Sequence, residues 1–155
     1  MAEESGGPRL RPAQALLDAQ AEIVETFGLL EDWTDRYQYI IDLGRQAPPF
    51  PETWKTEEYR LKGCQSQVWI VTTLKDGHME IQATSDSAIV AGLIALLVRV
   101  YSGRKPADIL ATPPDFIRQI QLEDHLSPTR SNGLSAMVQQ IRQRAVAALA
   151  EQNRH

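Results

Sequence analysis

One cysteine, Cys64, and three histidines are all that 155 residues offer in the way of soft metal ligands. A lone thiol excludes an internal disulfide, and it excludes a cysteine-rich zinc or iron-sulfur site supplied by one chain. A reducing, cytoplasmic setting is therefore expected. His78, His125 and His155 lack metal-ligand spacing, so no metal site is expected from them. Basic blocks are also missing. With 16 Lys and Arg against 20 Asp and Glu the net charge is −4, and dispersed cations do not replace counterions along a phosphate backbone, which argues against a nucleic-acid partner. The longest apolar run, residues 88–98, has 11 members, whereas a membrane span needs about 20. No membrane anchor is expected from it. Residues 1–12 are polar and carry Glu3 and Glu4, unlike a secretory or transit segment. Glycine-rich phosphate loops and G-x-S-x-G elbows are absent, which removes most nucleotide enzymes and α/β-hydrolases.

What is present reads as one domain over residues 13–155 behind a mobile tail of residues 1–12. Leu16, Ile23 and Phe27 recur at helical spacing after Pro12, and this helix should end near Gly28. A second helix from about Asp32 carries Trp33, Tyr37, Ile40 and Leu43, with Gly44 as its expected cap. Pro48, Pro49 and Pro51 impose an extended connector. Residues 67–74 and 79–84 read as strands joined by Asp76-Gly77, a tight-hairpin signal. Two strands alone are marginal, so a third is expected around residues 59–62. Ser85-Asp86-Ser87 should cap an apolar helix that crosses the centre and ends at Gly103. A short helix at residues 107–110 and another after Pro113-Pro114 lead to a final helix from about Ser131. The fold class is therefore α+β, a small curved antiparallel sheet of about three strands packed against several helices.

Cys64 stands outside any apolar run, where a turn marked by Gly63 meets a strand. Gln65, Ser66 and Gln67 are donors and acceptors rather than core formers. Arg60 and Lys62 are near enough in sequence to favour a thiolate, and a thiol of pKa about 8.5 is only roughly 3% ionised at pH 7. An inert, half-buried cysteine fits the same local letters.

The run Lys62-Gly63-Cys64-Gln65-Ser66-Gln67-Val68-Trp69 resembles the signature of the SufE family of sulfur-acceptor proteins. Leu43-Gly44-Arg45-Gln46 with its prolines, and Leu126-Ser127-Pro128-Thr129-Arg130-Ser131-Asn132-Gly133-Leu134, are similar to family patterns in family order. Together the resemblance spans roughly residues 15 to 150. It implies a SufE/IscU-like fold and a persulfide carried on Cys64, taken from a pyridoxal-phosphate cysteine desulfurase of the SufS type. Onward delivery would be to an iron-sulfur scaffold such as SufBCD, with the desulfurase stimulated. Such a protein is a carrier and activator rather than a stand-alone enzyme, and it holds no cofactor of its own. Gly63, Gln65 and Arg130 are the implied supporting or partner-binding residues, and a guanidinium there would steady a thiolate or persulfide. Thiol reactivity and persulfide protection conflict, so a loop with a tucked resting state and an extended docked state is expected. Three other readings remain open. One is an adaptor that activates a desulfurase without carrying sulfur, another a CsdE-like acceptor feeding a different sulfur pathway, and the last a Cys-His hydrolase using His125. An IscU-type scaffold is disfavoured, since one cysteine cannot supply the usual ligands.

Overall fold

The computed structural model describes residues 13–62 and 64–154. The sequence reading of residues 1–12, Gly63 and His155 lies outside the described residues. Helices α1 (Gln14–Leu29) and α2 (Trp33–Gln46) come first. Two 3-10 turns follow, Glu52–Trp54 and Glu57–Tyr59. Strands β1 (Val68–Lys75) and β2 (His78–Ser85) lead into α3 (Ala88–Tyr101). Short helices α4 (Pro106–Leu110) and α5 (Asp115–Gln119), a 3-10 turn at Leu122–His125 and the long α6 (Pro128–Asn153) complete the fold.

The α+β class holds, with one two-stranded antiparallel sheet pairing Val68 with Ser85 and Lys75 with His78. Asp76 (φ 53°) and Gly77 (φ 80°) both sit in the left-handed region, as a two-residue hairpin loop of the primed type requires. The expected third strand is reduced to one bridge, Arg60 opposite Trp69, and one bond from Leu61 N–H to the Val68 carbonyl at 2.7 Å. The turn at Glu57–Tyr59 uses up the residues that would have lengthened it.

Helix α3 is the centre, with nine buried residues including Leu93, Leu96, Leu97 and Val100. Ser87 caps it, accepting from Val90 N–H, and Gly103 follows with φ 79°. Contrary to expectation, Gly44 does not end α2. It lies within the helix, because it is where α2 meets α3. A Cβ on Gly44 would come 2.8 Å from the Gly92 nitrogen, and one on Gly92 would come 1.9 Å from the Ile40 carbonyl oxygen. The two backbones touch there.

Polar bonds fix the remaining helices. Buried Gln20 on α1 donates to the Pro113 carbonyl (3.1 Å) and accepts from Phe116 N–H (2.9 Å), so α1 sets the start of α5. Tyr101 at the end of α3 donates to the Thr112 carbonyl at 2.6 Å, and burial pushes its phenol well above the usual range. Helix α6 starts three residues before the expected Ser131. Ser127 is the cap, accepting from Arg130 N–H at 3.3 Å, and Pro128 occupies the first turn, where its missing N–H costs nothing.

Candidate functional site

Cys64 lies on a loop that is closed at its base twice. The Leu61 to Val68 bond is the first closure. The second is reciprocal: Gln67 N–H donates to Asp86 Oδ1 at 3.0 Å, while Asp86 N–H donates to the Gln67 carbonyl at 3.2 Å. Asp86 sits just before α3, so the helix that organises the core also holds the loop.

The Cys64 side chain is half-buried and packs against the core. Its Sγ lies 3.9 Å from where a Cβ on Gly133 would stand, so α6 passes over the sulfur at a residue without a side chain. Gly133 also lines a small void of about 10 Å³ whose other walls are Val68, Val90, Leu93, Ile94, Leu97, Leu134 and Met137. That is room for about one water, yet the walls offer it no polar partner.

Arg130 falls one turn before Gly133, on the same helix face by the i, i+3 spacing. Its side chain is exposed, as is Gln65. The structure thus brings the two sequence segments together, the cysteine loop and the Arg130-Ser131-Asn132-Gly133 stretch. It does not support thiolate activation by Arg60. The Arg60 guanidinium pairs with Glu57 at 3.0 Å, and Lys62 is exposed. Burial instead pushes the Cys64 thiol above its ordinary value. His125, the candidate partner for a Cys-His pair, stacks on Trp33 with ring centroids 4.0 Å apart, and its carbonyl accepts from Tyr37. Trp69 is buried, with Lys55 Nζ 5.8 Å from its ring centroid. No group of three His, Cys, Asp or Glu among the described residues could hold a metal, and no described helix is long and apolar enough to cross a membrane.

Sequence reading missed the Asp86 latch. Asp86 reads locally as one of three capping residues, and its partner is 19 positions away. Only the hairpin register, which sets Val68 against Ser85, brings them together.

Residues 21–145 match the family model described as SufE, Fe-S metabolism associated domain. The chain belongs to the SufE family. An uncharacterized SufE-like protein of Rhizobium meliloti is 37% identical over 133 residues, which covers 83% of this chain and 95% of that one. Another, from Rhizobium etli, is 41% identical over 129 residues, covering 80% and 87%. A solution structure of a hypothetical protein from Thermus thermophilus superposes with a TM-score of 0.70 at 24% identity, over 85% of this chain and 96% of that one; this likeness shows the fold. Membership in the SufE family implies a sulfur-acceptor role alongside a cysteine desulfurase.

Two predictions arise from this geometry. Because the buried thiol is raised, thiolate forms late as pH increases. The rate of Cys64 alkylation by iodoacetamide should rise at higher pH than that of free cysteine, and should return to the free-cysteine curve in urea. A folded-state curve at or below that of free cysteine would contradict a burial-dominated site. Asp86→Ala should loosen the loop and raise the alkylation rate at fixed pH about fivefold, the factor equivalent to the roughly 1 kcal/mol of one side-chain hydrogen bond. Asp86→Asn keeps an acceptor and should change it little. Equal rates in all three proteins would show that Asp86 does not latch the loop.

Proposed function

We propose that Cys64 accepts the persulfide sulfur of a SufS-type, pyridoxal-phosphate cysteine desulfurase and passes it to an iron-sulfur cluster scaffold such as SufBCD, stimulating the desulfurase as it does so. The observation that carries this reading is the placement of the only cysteine of a SufE-family chain in a doubly closed loop, beneath the glycine of a second family-like segment.

The chemistry is thiol-disulfide exchange. The Cys64 thiolate attacks the terminal sulfur of the desulfurase persulfide, a new S–S bond forms on Cys64, the old S–S bond breaks, and the desulfurase cysteine leaves as a thiolate. Electrons balance without an oxidant. The pyridoxal phosphate belongs to the desulfurase, where it releases the sulfur from free cysteine. In this chain the work is positional. Its loop holds the thiol protonated and half-covered at rest, which limits oxidation, and docking draws Cys64 out to where the partner favours the thiolate. Arg130, exposed one turn before Gly133, is the cation that would steady the anionic sulfur, and exposed Gln65 would offer an amide to the partner surface. A cytoplasmic location follows from this reading, since the exchange needs reduced thiols.

Reconstitution tests delivery. Desulfurase, this protein, cysteine, ferrous iron and apo-scaffold should build a visible cluster chromophore on the scaffold faster than the mixture without this protein. A rate that does not depend on this protein would remove the scaffold as acceptor and favour a different sulfur pathway.

A further inference from the structure

A second concave surface lies outside the cysteine loop. A groove of about 730 Å³ opens between the end of α2, the proline connector, β2 and α3, and none of the described residues 61, 62 and 64–68 lines it. Its volume falls in the range of ligand and peptide sites, roughly 300–1,000 Å³. The floor is Ala91, Ala95 and Val98, partly exposed on one face of α3, and the facing wall is Pro48, Pro49 and Phe50.

The third side is a strand edge. The outer edge of β2 is closed at one end by the segment after α3. Met79 exchanges 2.8 Å bonds with Gly103 and Arg104, and Ile81 N–H donates to Ser102 Oγ at 2.8 Å. Alternate residues of a strand present their backbone groups to the same edge. Ala83, opposite Ile70 on β1, therefore turns its N–H and C=O the same way, and among the described residues neither has a partner. Ile81, Gln82, Ala83 and Thr84 all line the groove although their side chains alternate between the two faces, which puts the groove along that edge.

The groove also has one sign of charge. In a chain of net charge −4, the charged residues that line it among the described residues are Arg45 and Arg99, with no carboxylate. The nearest acid to Arg45 is Asp42 at 3.9 Å, an exposed pair of little strength. No ion pair engages Arg99 among the described residues. An apolar floor, an unpaired strand edge and two exposed guanidiniums are complementary to one kind of occupant.

We propose that this groove takes an extended segment of a partner protein that carries apolar and acidic side chains on the same face, added to the sheet as a strand on the Ala83 edge of β2. Main-chain bonds at Ala83 would supply the register, the α3 floor would take the apolar side chains, and Arg45 and Arg99 would select carboxylates. This surface is independent of the sulfur reading of Cys64.

The test uses the full chain, ¹⁵N-labelled, titrated with a fluorescein-labelled octapeptide in which Val and Asp take turns at every second position with Ser between them, and with its Val and Lys counterpart. The acidic peptide should bind at least about tenfold more tightly, and the Ala83 amide should become roughly tenfold slower to exchange at saturation. Arg45→Glu and Arg99→Glu, both at exposed positions that the core does not use, should together reverse the preference. Free glutarate should compete poorly. No binding at millimolar peptide, equal affinity for both peptides, or binding with unchanged Ala83 exchange would overturn the proposal. So would glutarate binding as tightly as the peptide, which would make the groove a small-anion site.

Discussion

Cys64→Ala protein should leave its cysteine desulfurase turning over at the rate the enzyme shows alone, with the stimulation lost completely rather than in part. No other thiol in the chain can stand in, since Cys64 is the only one. The loop should survive the change. Its closures, Leu61 to Val68 and Gln67 to Asp86, are made by other residues, and Cys64 is only half-buried. Affinity for the desulfurase should therefore persist while sulfur transfer stops. That split separates a carrier from an adaptor. An adaptor stimulates by docking, so retained stimulation by the alanine variant would remove the carrier reading and leave the adaptor.

Gly92→Ala should be the most damaging single methyl group in the fold. The new Cβ would lie 1.9 Å from the Ile40 carbonyl oxygen and 2.6 Å from the carbonyl carbon, both backbone atoms of a packed helix. A side chain can rotate away from such a clash; a helix backbone can only translate. The cost should be about 3 kcal/mol or more, at the upper end of overpacking effects. For a chain of this length that lowers Tm by roughly 6–12 °C. Gly44→Ala should be the next most costly, because its Cβ would meet the Gly92 nitrogen at 2.8 Å. Gly28→Ala is the contrasting case. Nothing lies within 4 Å of that position, which is helical, so the lower backbone entropy of alanine should stabilise the protein by roughly 0.5–1 kcal/mol. Thermal melts of the three variants measure this directly. Equal Tm for Gly92→Ala and Gly28→Ala would refute the close α2–α3 contact.

The glycines also show where sequence reading reaches its limit. At Gly77 and Gly103 the residue serves its own backbone, both being at positive φ, and the hairpin and the end of α3 were legible from that local chemistry. Gly44 looked like a cap for the same reason, but its role is set by Gly92, 48 positions later. No local pattern carries that. The third strand failed similarly. Residues near Tyr59 looked able to pair, yet the turn at Glu57–Tyr59 leaves only Arg60 and Leu61 to do so. At α6, Ser127 and Ser131 both suit a cap, and Pro128 at the first turn decided for Ser127. The meeting of the cysteine loop with the Arg130 to Gly133 stretch was legible only through family resemblance; composition and periodicity say nothing about it. Thiol activation was misread because sequence neighbours were taken for spatial ones. Arg60 is four residues from Cys64 but spends its charge on Glu57, and burial dominates the thiol.

The most direct test of the account is intact mass spectrometry of this protein after incubation with its cysteine desulfurase, pyridoxal phosphate and cysteine, with Cys64→Ser run in parallel. The account predicts a gain of one sulfur, about 32 Da, that dithiothreitol removes and the serine variant never shows. No gain of sulfur in a mixture where the desulfurase is still stimulated would contradict it.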